Sequence, residues 1–152
     1  MKPKILVVGS SNTDFVIRAS RLPKPGETLM GEEARSSGGG KGANQAVAAA
    51  RSGAGVIFVG ARGDDEWGRT AFQNLSREGI DLRHFSIKKK STSGSAFILI
   101  GGASSQNMIV VAGGSNDLLS PEDVSKAFKQ FTKLDAVVCQ LEVPLKAVLQ
   151  AA

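Results

Sequence analysis

At 152 residues the chain is long enough for one domain with a real core, and its 41% hydrophobic and 22% charged content is ordinary for a globular protein. The net charge of +5 invites a nucleic-acid reading, but the basic residues are dispersed and tyrosine is absent, so no basic stripe with aromatic stacking partners forms. Neither an apolar run of the roughly 18 residues that a membrane span needs nor a signal-type leader in MKPKILVVGS is present, and one cysteine excludes an intrachain disulfide framework.

Residues 4–8, KILVV, form a continuous apolar run of the kind found in a parallel sheet covered on both faces. GSSNTD follows. Residues 14–20 alternate as a half-exposed strand, RLPKPGET turns the chain, and a polar strand over 28–35 returns. The stretch SSGGGKGANQAVAAARSG (36–53) runs from glycines into a helix whose face carries Ala43, Ala46, Val47 and Ala50, with Gly53 as its stop. VIFVG (56–60) reads as a strand and DDEWGRTAFQNLSRE as a helix carrying Trp67, Ala71 and Leu75. HFSI (84–87) is a short strand, and the run Lys88–Lys90 a solvated loop. SAFILI (95–100) and NMIVV (107–111) form a hairpin across GGASSQ. SPEDVSKAFKQF opens a helix with Ser120 as N-cap, Pro121 at the first position and Asp123 at the third. DAVVCQL (135–141) is a further buried strand, with Cys139 as a core thiol suited to a reducing cytoplasm, and PLKAVLQAA begins a last helix. Buried strands alternating with helices predict an α/β fold with a mainly parallel sheet, and the more polar strands a separate small β layer.

The glycines at 38–40 need a reason, because glycine inside ordered structure costs roughly 0.5–1 kcal/mol relative to alanine. A P-loop fails at both ends: aligned on Gly40-Lys41, its first position is Arg35 and its last Gly42. A dinucleotide fingerprint is met formally by Gly38, Gly40 and Ala43, but polar MGEEARSS precedes it where a buried strand belongs. A glycine-rich turn capping a helix stays open as an alternative. A longer pattern goes further. GGKGANQA, six residues, Gly53, nine residues, then Gly63 resembles the first signature of the ribokinase-type (PfkB) carbohydrate kinases. GSSNTD, RLPKPGET, GDDEWG, TSGSAFI, LLSPEDV and VVCQLEVP follow the family's order across essentially the whole chain.

The resemblance implies a ribokinase-like partial parallel sheet with flanking helices and a small β lid, its lid strands near 14–35 and 95–111. The implied activity is ATP-dependent phosphorylation of D-ribose to ribose 5-phosphate, with Mg²⁺ and a monovalent cation such as K⁺. It also implies a homodimer through the lid strands, and neither nucleic acid nor membrane as partner. Asn12 and Asp14, just past the first strand, would bond ribose hydroxyls; as plain sequence they are also Asx-turn formers. Gly39 and Gly40 would let the backbone approach the sugar, Lys41 and Asn44 would reach it from the helix start, and Glu142 would add an acceptor. Ala96 and Ile98 would form an apolar wall. Two departures stand out: Gly38 replaces a frequent aromatic residue, and AGGSN (112–116) carries one residue more than the family's A-G-A-N.

Family members are about twice this length, and the D-T-x-G-A-G-D run that supplies their catalytic base and anion hole does not occur here, nor does their N-x-x-E motif. The expectation is therefore an N-terminal part carrying most of a sugar site, with no catalytic residue and without the nucleotide-binding half. A non-catalytic sugar-binding or dimerising module is the alternative of a different class. A kinase for a related pentose or a nucleoside is the alternative within the family.

Overall fold

The computed structural model describes residues 2–102, 106–131 and 133–152. Two four-stranded sheets account for every strand among them. The first is parallel throughout, in the order β5 (Asp81–Lys88), β4 (Gly55–Gly63), β1 (Lys4–Val8), β8 (Ala136–Cys139). Alternation along β1 explains its run of apolar residues. Leu6 and Val8 point to one face, where they pack with Ile57, Leu119, Val124 and Val148 under α3 (Pro121–Gln130) and α4 (Leu145–Ala151). Val7 points to the other, against Ala43, Ala46, Phe58 and Leu75 under α1 (Lys41–Arg51) and α2 (Glu66–Arg77). Two cores, one per face, are what a strand of continuous hydrophobicity requires.

The second sheet has the order β3 (Glu33–Gly39), β2 (Asn12–Ala19), β6 (Gly94–Gly101), β7 (Gln106–Ala112). β2 and β6 run parallel, and each outer strand is antiparallel to its neighbour. This is the small β layer expected from the polar strands. Directly paired residues share a face, so Asn12, Asp14, Gly39, Ala96 and Ile98 lie on one side of it, and Thr13, Phe15, Phe97 and Val110 on the other. Phe15 stacks on Phe97 at 5.1 Å and meets Trp67 of α2 edge-on at 5.2 Å, which holds the layer against the main body.

Several expectations need correction. The strand expected over 28–35 begins at Glu33 and runs through Gly39, because pairing with β2 carries it into the glycine stretch. β2 likewise starts at Asn12 rather than at 14, so neither Asn12 nor Asp14 forms an Asx turn. Lys88 is not a solvated loop residue: it ends β5 and its ammonium lies 2.6 Å from Asp123, while Lys89 and Lys90 are exposed. β8 is half-exposed rather than buried, since it is an outer strand of the described sheet, and Cys139 is accordingly half-buried. The hairpin of β6 and β7 is present up to the pair Gly101 and Gln106; residues 103–105 of its GGASSQ turn lie outside the described residues. At the start of α3, Ser120 and Asp123 form the reciprocal capping box.

Candidate functional site

The site lies at the carboxyl end of β1, where open α/β sheets place their ligands. Four segments converge there: Ser10–Asn12 leaving β1, the start of α1, the lid strands β2 and β3, and the segment after β8.

α1 starts with Gly40 in the N-cap position, at φ +90°, a backbone conformation closed to most L side chains. A Cβ there would also lie 2.7 Å from the backbone of Ser11 and Asn12. Gly40 has no side chain with which to cap the helix, and Ser10 does so from outside. Its carbonyl accepts the Ala43 N–H at 2.8 Å, and its hydroxyl oxygen accepts the Gly42 N–H at 3.5 Å. The same hydroxyl donates to Glu142 at 2.9 Å, and the Ser10 N–H donates to Gln140 Oε1 at 3.2 Å. One buried serine thereby ties β1, α1 and the segment after β8 together.

Glu142 is also paired with the Lys41 ammonium; the lysine side chain is 72% exposed against 31% for that of Glu142. Burial would raise the Glu142 carboxyl, but the hydrogen bonds from Lys41 and Ser10 outweigh it and hold the group below its ordinary value. Asp14 has the opposite balance. Burial raises its pKa, the nearby Glu142 charge adds to that, and no cation is paired with it among the described residues. A Cβ on Gly39 would collide with the Asp14 carboxylate, so Gly39 leaves the space that carboxylate fills. Asn12 and Asn44 line, with Gly38, Gly39, Val47 and Asn74, an open cleft of about 320 Å³ between α1, α2 and β3.

The sequence-predicted residues thus fall into two adjoining groups: Asp14, Lys41 and Glu142 in one, Asn12, Gly39 and Asn44 around the cleft, with Gly40 at the bend between them. Two carboxylates, an ammonium and carboxamides set side by side match a polyhydroxylated ligand, whose hydroxyls both donate and accept. Sequence reading missed Ser10, whose only signal is its place directly after the buried strand, and Asn116, which is 1% exposed and bonds Ser11 and Asn12. In AGGSN, Gly114 takes φ +55°, and a short 3-10 helix, Gly114–Leu118, carries Asn116 inward.

Comparison with known proteins shows the family. Residues 2–152 match the family described as pfkB family carbohydrate kinase. The chain is 43% identical to the ribokinase of Haemophilus influenzae over 152 residues, 100% of this chain and 49% of that protein. Among solved structures, it resembles a ribokinase from Giardia lamblia at TM-score 0.86 and 32% identity, covering 98% of this chain and 45% of that one. It resembles Arabidopsis thaliana ribokinase, complexed with ribose and ATP, at TM-score 0.83 and 30% identity over 99% of this chain and 49% of that one. The chain spans about half the length of the curated relatives it matches.

Proposed function

The chain belongs to the pfkB family of carbohydrate kinases, and from that membership we propose that it supplies the sugar-binding half of an ATP-dependent kinase that converts D-ribose to ribose 5-phosphate. The observation that carries this reading is the gathering of Asp14, Lys41 and Glu142 at the carboxyl end of β1, beside the lid sheet.

In the reading, the carboxylates of Asp14 and Glu142 accept hydrogen bonds from ribose hydroxyls, while Lys41 and the amides of Asn12 and Asn44 donate to their oxygens. Gly39 and Gly40 keep side chains out of the way, and Ala96 and Ile98 give the lid an apolar wall on the side that carries Asp14. Such a grip fixes the sugar so that one hydroxyl can be held in line with a phosphoryl donor, which is most of what phosphoryl transfer asks of a protein. ATP supplies the phosphoryl group, and Mg²⁺ with a monovalent cation such as K⁺ would neutralise its charge. No three His, Cys, Asp or Glu side chains gather as metal ligands among the described residues. Glu142 is already engaged by Lys41 and Ser10. On the family resemblance, whose D-T-x-G-A-G-D and N-x-x-E motifs do not occur in this sequence, the reading assigns the nucleotide, metal and proton-accepting base to residues beyond this chain. The same reading includes a homodimer through the lid strands and a reducing, cytoplasmic setting in which Cys139 stays a free thiol.

Asp14→Ala tests the sugar assignment. With the chain joined to the C-terminal half of a ribokinase, the variant should lose about 10- to 150-fold in ribose affinity, the worth of a hydrogen bond to a charged group of roughly 1.5–3 kcal/mol. Nucleotide affinity should stay nearly unchanged. Calorimetry giving an unaltered ribose Kd would remove Asp14 from the site.

A further inference from the structure

We infer that Asn116 is a positioning residue that locks the Asn12 carboxamide with its nitrogen left without a partner among the described residues, so that Asn12 meets a sugar hydroxyl only as a hydrogen-bond donor. The inference rests on the sugar-site reading above for its ligand, and on geometry alone for the orientation.

Asn116 lies in the 3-10 helix after β7, 1% exposed. Its own orientation follows from the backbone it faces. The Ser11 N–H can only donate, and it meets the Asn116 side chain at 3.0 Å; the Ser11 carbonyl can only accept, and it meets that side chain at 3.2 Å. The first contact must therefore be Oδ1 and the second Nδ2. The second hydrogen of Nδ2 then points at the Asn12 side chain, 2.8 Å away, and needs an acceptor there. Only Oδ1 of Asn12 can serve. The Asn12 Nδ2 is left with no bond among the described residues, and Asn12 is one of the residues lining the cleft. A backbone amide two steps removed from the ligand thus decides which face the amide turns to it.

The surroundings leave little freedom to reverse this. A Cβ on Gly94 would collide with both Asn116 Nδ2 and Asn12 Oδ1. The Ser115 N–H donates to the Thr92 carbonyl at 2.8 Å, which fixes the 3-10 helix to the strand crossing before β6. Three of the crossings between the two sheets, at Ser11–Asn12, Ser93–Gly94 and Gly113–Asn116, meet at this one carboxamide.

The chain itself can be tested without a sugar. Side-chain amide exchange with water, followed by ¹⁵N NMR, should show the Asn116 amide protected at least about tenfold more than that of Asn12. Asn116→Asp removes the donor and offers a carboxylate oxygen in its place, so Asn12 should turn over and its amide become the protected one. An Asn12 amide already protected in the unaltered chain overturns the inference, whether or not the variant folds. Equal, fast exchange of both amides does so too. In the joined kinase, Asn116→Asp should weaken ribose binding about tenfold and leave the KM for ATP unchanged; a ribose Kd equal to that of the unaltered protein also overturns it. If the joined protein binds no ribose at all, the proposed function fails while the exchange result still decides the orientation.

Discussion

Asp14 is held in the fold at a cost. Its pKa is raised by burial and then by the neighbouring Glu142 charge, so the folded protein binds the Asp14 proton more tightly than the unfolded chain does. The sign follows directly: a raised pKa stabilises the fold below the ordinary carboxylate range, and the contribution is lost as pH rises through the folded value. At neutral pH the ionised Asp14 is therefore destabilising. Asp14→Asn should raise the melting temperature at pH 7, raise it less at pH 3, and at the same time weaken ribose binding in the joined kinase. Thermal melts at the two pH values check this, and a melting temperature that falls equally at both would show that the carboxylate is structurally required. Ser10 gives the contrasting case. It caps α1, bonds Glu142 and is anchored by Gln140, so Ser10→Ala removes a cap-like interaction and should cost about 0.5–2 kcal/mol of stability.

The lid sheet is where sequence and structure teach most about each other. β7 is exposed along its whole length, with Met108, Ile109 and Val111 slightly over half exposed and Val110 70% exposed. With Phe97 and Ile17 also exposed, both faces of the sheet carry exposed apolar side chains beyond the part that α2 covers, an arrangement that isolated monomers rarely keep. The expected outcome is a discrete dimer in light scattering, and Val110→Lys with Val111→Lys, one charge on each face of β7, should return it to a monomer. A monomer before substitution would contradict the lid as an interface. The alternation in 14–20 and 95–111 was legible as strands, and so was their separateness from the buried strands. The register was not. Residues 28–32, TLMGE, are more apolar than 33–39, EARSSGG, and nothing local says that pairing with β2 selects the second set and draws Ser36–Gly39 into a strand. The same reason hid Asn116. Its role depends on residues 104 and 105 positions away in sequence, and the asparagine that closes AGGSN carries no local sign of that. Asn12, Asp14, Lys41 and Glu142 stand out through the family resemblance, and in the structure each sits next to a strand end or a helix start.

Both outer strands of the parallel sheet, β5 and β8, leave an edge that no described strand pairs, but they differ in their apolar surroundings. Toward β5 the sheet is flanked by α1, α2 and α3. Toward β8 no described strand pairs with the outer edge, and Val137, Leu141, Leu145 and Leu149 stay 37–75% exposed beside it. An outer parallel strand with bare N–H and C=O groups and apolar neighbours is a pairing template. Under the function proposed above, that edge is where a nucleotide-binding half would pair. The measurement that tests this function is a coupled assay for ribose phosphorylation on the chain alone and on the chain joined to the C-terminal half of a ribokinase. The chain alone should show no turnover, since a general base and electrostatic stabilisation are each worth roughly 10²–10⁴ in rate, and the joined protein should turn over within the usual kinase range of about 1–100 s⁻¹. Turnover in that range by the chain alone, or a folded joined protein that binds ATP and leaves ribose untouched, would contradict the account.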